Sequence, residues 1–255
     1  MDDPGMSGTA AGAAPAGEGP SLLQRMVGVF VSPARAFSGR IPPRAWILPL
    51  ILLSLFQTGE SFLLRDLTVE RMKERLVQTD LPEEARQKAL EGLEQQGSGP
   101  MQVVLSVVGG GIWIFLMAML LPALFYWLGA NFVCGGSARY WVVTSVVGLS
   151  NLILLLRSVL TVPLKLSRNS LEVFTSLALL PAGEPGSKLQ NALNAVDLFE
   201  IWIAAVAAVG LALAAGIRRG QAMTVVFVVW GLWVVLRMGM AFALTDTMWG
   251  ALLGF

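Results

Sequence analysis

The chain contains no histidine. That removes the commonest general base and the commonest metal ligand, and with them Ser-His-Asp sites, Cys-His sites and the HExxH zinc motif. Its one cysteine, Cys134, excludes a disulfide within the chain. Charge is also scarce, at 14% of residues against about 25% in soluble domains. A net charge of +1 and no basic patch argue against a nucleic-acid partner. No phosphate-cradling loop or metal-ligand cluster is present. Ser145, Ser150 or a carboxylate could in principle serve as a nucleophile, but none has a base at a suggestive spacing. The expectation is therefore no enzyme, no catalytic residue, no cofactor and no metal.

What remains is apolar: 55% of residues are hydrophobic, with mean hydropathy +0.67. A helix needs about 20 apolar residues to cross a bilayer. Five stretches supply them, at about 44–64, 105–130, 140–163, 197–216 and 221–244. The predicted fold is all-α: a polytopic membrane protein, a bundle of five transmembrane helices within residues 41–245. Residues 65–100 are polar, with mixed charges, and predict an extramembrane helical hairpin between helices 1 and 2; Thr79 or Asp80 can cap its second helix. Residues 1–20, rich in Gly, Ala and Pro, predict a disordered tail with no signal-peptide pattern. Residues 21–40 predict short amphipathic helices in the membrane interface, and 246–255 a short tail.

Three places strain this simple picture. The apolar run 101–133 would extend about 50 Å as one helix, against a hydrocarbon core of about 30 Å. It must tilt, or break at Gly109-Gly110-Gly111 or Pro122. Pro163 is expected to end the third span. The segment 171–181, LEVFTSLALLP, is too short to span and predicts an interfacial or re-entrant helix.

The charged residues inside the spans form a pattern. Glu60, Arg157, Asp197, Glu200 and Arg237 come from alternating antiparallel spans, yet all fall toward the same membrane face. Such groups usually face the bundle interior and pair. One buried polar cluster is expected. It serves either as an ion-pair clasp or as a pocket for an ion, a proton or a lipid head group. The fourth span also carries Ala204, Ala208, Ala212 and Gly216 at i, i+4 spacing. A row of small residues predicts close helix packing. Five spans place the termini on opposite sides. The turns on the N-terminal side carry arginine without acids, which predicts an N-terminus inside.

The chain resembles the Yip1 family, as a bacterial member. The resemblance begins at Ser32-Pro33-Ala34-Arg35-Ala36-Phe37 and continues at Gly135-Gly136-Ser137-Ala138. It is sharpest at Ser176-Leu177-Ala178-Leu179-Leu180-Pro181 and at Asp197-Leu198-Phe199-Glu200-Ile201-Trp202, with Gly210-Leu211 and Trp230 following. It implies five membrane helices, a cytoplasmic N-terminus, a place in the bacterial inner membrane and no catalytic motif. The function expected is a membrane scaffold or assembly factor that organises membrane-protein partners, lipids or a transport complex, with self-association open. The alternatives are a small transporter or lipid-handling protein using the buried charges or, for a eukaryotic chain, a Rab GTPase-associated factor of vesicle traffic.

Overall fold

The computed structural model describes residues 19–78, 83–95, 100–171, 173, 175–179 and 187–244. Most of the predicted N-terminal tail, all of the C-terminal one, Thr79 and Asp80 fall outside these residues. Among the described residues the regular structure is helical, apart from one isolated antiparallel bridge between Ser176 and Asp197.

A short hairpin comes first, α1 (Leu22–Val31) and α2 (Pro33–Ala36). Ser21 and Gln24 form a capping box that satisfies two backbone N–H groups at the start of α1. Pro33 opens α2, where its missing N–H costs nothing. Helix α3 (Ile47–Leu63) is the first span, and α4 (Arg65–Gln78) leaves it at a bend of 61°. Helix α5 (Glu83–Gln95) returns against α4. Both are polar and carry i, i+3 ion pairs, Arg71 with Glu74 at 3.1 Å and Arg86 with Glu83 at 3.4 Å.

The second span does not break. It runs as α6 (Pro100–Trp113), a π-helical stretch at Ile114–Leu120, α7 (Leu121–Leu128) and a second π-helical stretch at Gly129–Val133. The glycine triplet stays helical. Pro122 is absorbed at the start of α7, directly after the wide π turn. A proline leaves the carbonyl four residues earlier without its donor. That carbonyl is Ala118 O, and Asn151 Nδ2 from the third span donates to it at 2.8 Å. Tyr140 Oη donates to Leu120 O at 2.9 Å in the same stretch. Side chains of the neighbouring span thus hold the irregular backbone within the bundle, as hydrocarbon requires.

The third span is α8 (Tyr140–Ser150) and α9 (Ile153–Arg168). The expected end at Pro163 is corrected: the helix passes through Pro163 and stops at Asn169, which takes the left-handed conformation at φ 49°. The segment at 171–181 is also corrected. Its described residues form the bridge at Ser176 and a single 3₁₀ turn at Leu177–Leu179. They are tied to the chain ahead of the fourth span, with Leu177 N donating to Val196 O at 3.0 Å and Leu198 N donating to Thr175 O at 3.2 Å. Helix α10 (Lys188–Leu193), capped by Ser187, precedes α11 (Leu198–Ala215) and α12 (Arg219–Leu244).

The helices sort by burial. Eight consecutive residues of α8, Val143–Ser150, are buried, and α11 packs on both α8 and α12. The second and fifth spans lie outside this pair, with 11% and 22% of their most apolar windows buried. Their remaining side chains, among them Val108, Trp113, Leu232 and Val235, point outward. Among the described residues four helices are long and apolar enough to cross a membrane, or five if the bent pair of α3 and α4 counts as one span. The chain is an integral membrane protein of the polytopic helical class.

Candidate functional site

The site grows from the N-terminus of α11. Asp197 is its N-cap, and its Oδ1 accepts from Phe199 N at 2.7 Å. Its Oδ2 accepts from Thr175 Oγ1 at 2.6 Å and lies 3.4 Å from Arg157 Nη2. Asp197 is buried, and these partners account for its charge. The bridge to Ser176 holds the preceding strand segment against it, while Ser176 Oγ donates to Asn194 Oδ1 at 2.8 Å. The resemblance segments at 176–181 and 197–202 therefore meet in space at Ser176 and Asp197.

One turn further on, Glu200 Oε1 accepts from Arg237 Nη1 at 2.6 Å, joining α11 to α12. Glu200 Oε2 is buried and has no hydrogen-bond partner. Glu60 of α3 accepts from Lys165 Nζ at 3.2 Å and from Ser158 Oγ at 2.7 Å. Ser158 and Lys165 lie seven residues apart on α9, two turns along one face. They meet α3 together because the helix continues past Pro163.

Four of the five predicted residues form two separate pairs, Arg157 with Asp197 and Arg237 with Glu200, whereas Glu60 pairs with Lys165, which lies beyond the expected end of the span at Pro163. Each pair joins a different two elements: α3 to α9, α9 to the cap of α11, and α11 to α12.

The small-residue row needs one correction. Ala204, Ala208 and Ala212 are buried in the core shared with Val143, Val147, Ala222 and Val226. Gly216 lies outside it. It is exposed, with nothing near its Cβ position, and ends α11 at φ 67°. Its role is the left-handed helix cap that glycine adopts without steric cost. The closest approach is at Gly210, where a Cβ would stand 2.5 Å from Val146 Cγ1 and 3.0 Å from the Phe37 ring. Gly210 is off the i, i+4 row, so a search along that row alone passes it by.

Ser145 and Ser150 are buried and donate to the carbonyls of Trp141 and Val146, each four residues back. That is the ordinary way a hydroxyl is satisfied inside a helix. Asn131 was not singled out by sequence. It exchanges two 2.9 Å hydrogen bonds with the Ala138 backbone, and Trp127 Nε1 donates to the same carbonyl at 2.9 Å, so the turn at 134–139 is fastened to the end of the second span. Ser137 N donates onward to Ala215 O at 3.1 Å.

The family model described as the Yip1 domain matches residues 27–253. No curated protein and no solved structure matches the chain.

Proposed function

The chain belongs to the Yip1 domain family, and from that premise we propose that it is a non-catalytic membrane scaffold or assembly factor. One observation carries this reading. Each acid at the membrane level is matched to a base inside the same chain: Glu60 to Lys165, Asp197 to Arg157 and Glu200 to Arg237. These charges join helices and leave the flanks apolar. The second and fifth spans then present broad apolar faces to lipids, to the helices of membrane-protein partners or a transport complex, or to a second copy of the chain. We place it in a bacterial inner membrane, as the resemblance implies, with its N-terminus cytoplasmic, because in a five-span topology the segments carrying the exposed arginines 35, 40, 44, 139, 218 and 219 share the N-terminal side and hold no acid. Purification in mild detergents with crosslinking and mass spectrometry tests the proposal. Reproducible partners or self-crosslinks are expected, and recovery as an isolated monomer in every condition would refute it.

A second reading rests on Glu200 Oε2, the buried oxygen without a partner. An unpaired carboxylate oxygen beside an arginine suits a polar pocket in a small transporter or a lipid-handling protein. Ion-flux and lipid-scrambling measurements in proteoliposomes separate the two readings. The second requires activity that Glu200→Gln reduces, whereas the scaffold reading expects none above empty liposomes.

A further inference from the structure

The hairpin of α1 and α2 carries a feature that the paired charges leave unused. Between its two helices runs an open groove of about 750 Å³, lined by Leu23, Val27, Val31 and Arg35 among others. Leu23, Val27 and Val31 stand at i, i+4 and i+8 on α1, one face of the helix. They are 69%, 58% and 79% exposed. The opposite face of α1 is spoken for, since Val29 is buried with Phe37, Val146 and Leu149. So one apolar stripe faces the bundle, and a second has no protein partner among the described residues.

Positive charge surrounds this groove. Arg25 lies behind it, 1% exposed. Its guanidinium donates to Pro20 O at 3.0 Å, Ala36 O at 2.7 Å and Arg40 O at 3.0 Å. These carbonyls fasten the hairpin but carry no net charge, and no carboxylate among the described residues pairs with Arg25. Burial lowers its pKa from the ordinary value, yet an arginine stays protonated. Arg35, Arg40 and Arg44 are exposed beside it, and residues 19–59 contain no acid.

Packing sets the hairpin's level relative to the end of α11. Phe37 meets Gly210, five residues before the end of α11 at Ala215, or about 8 Å along the helix axis. An interfacial helix sinks its apolar face about 5–10 Å into the head-group and acyl boundary. With the end of α11 taken as the interface, the hairpin lies at the level of phosphates and the first methylenes of lipids.

We propose that this groove binds an anionic phospholipid, with its acyl chain along Leu23, Val27 and Val31 and its phosphate beside Arg35. The stripe supplies the apolar wall, the arginines supply the positive field, and the hairpin leads directly into the first span. A zwitterionic lipid fits the wall but gains little from the field. Each arginine near the surface favours anionic lipid about fivefold, so removing two lowers the preference about 25-fold.

The test uses the full chain in vesicles. A fluorophore is placed at Val27→Cys in a Cys134→Ala background, and quenching is compared for brominated phosphatidylglycerol and brominated phosphatidylcholine at equal mole fraction. Stronger quenching by phosphatidylglycerol is expected. It should weaken at high salt, nearly vanish in Arg35→Gln/Arg40→Gln and persist in Arg35→Lys/Arg40→Lys. The lysine pair guards against loss of the hairpin itself. Equal quenching by the two lipids, no quenching by either, or an undiminished preference in the glutamine pair would overturn the proposal.

Discussion

Gly210 illustrates how a single missing side chain sets the distance between two spans. Adding a methyl group gains up to about 1 kcal/mol of helix propensity. At 2.5 Å from Val146 Cγ1 it also overpacks the contact, which costs about 1–3 kcal/mol. The overlap wins, so Gly210→Ala should lower the thermal unfolding midpoint in detergent. Adding Val146→Ala should recover part of the loss, because it removes the atom that is struck. The pair Glu200–Arg237 makes a second residue-scale case. Its side chains are 22% and 28% exposed, so losing one partner should cost less than the 3–5 kcal/mol of a fully buried pair, about 2 kcal/mol. Reversing either charge alone should destabilise the protein by about that much. Reversing both should restore most of it, as a double-mutant cycle on unfolding would record. Two single reversals as stable as the parent would remove the clasp from the proposed function.

At the scale of elements, the second span shows how a bundle holds an irregular helix. Pro122 deprives Ala118 O of its usual donor, and Asn151 replaces it from the next span. Asn151→Ala should therefore cost about 1–2 kcal/mol, the penalty of a buried unsatisfied carbonyl. The same substitution in a Pro122→Ala background should cost much less, since the helix then has its own N–H to offer. Equal losses in both backgrounds would show that Asn151 acts only by packing. Sequence marked Pro122 but did not connect it with Asn151. They lie 29 positions apart, and only the antiparallel packing of the two spans brings the amide to that oxygen. The same holds for Lys165. A proline in a helix can end it or be carried through, and the choice depends on what neighbouring side chains offer. The continuing helix put Ser158 and Lys165 on one face, and that face selected Glu60.

For the whole molecule, the proposed five-span topology puts the termini on opposite sides and the turn at 134–139 on the N-terminal side. Cys134, the one cysteine, should then react with a membrane-impermeant maleimide in inside-out vesicles and resist it in intact spheroplasts. The opposite pattern would invert the proposed orientation. Hydropathy made the helical class, the approximate spans and the polar hairpin legible, because a bilayer demands about 20 apolar residues in a row. Glycine and small-residue spacing pointed to α11 as a packing helix but could not separate the buried Ala204, Ala208 and Ala212 from Gly216, whose left-handed cap follows from where the helix ends.

Local sequence determined which segments become helices and where Asp197 and Ser21 cap them. These depend on a residue and its near neighbours, through periodicity and backbone hydrogen bonding. Tertiary structure decided which acid meets which base, that Pro163 is carried through, that Asn151 supplies Ala118 with a donor, and that Arg25 fastens a hairpin with no counter-charge. Such matters turn on the rotation and lateral placement of helices, which are set by side chains far apart in the chain packing within a few ångströms of one another.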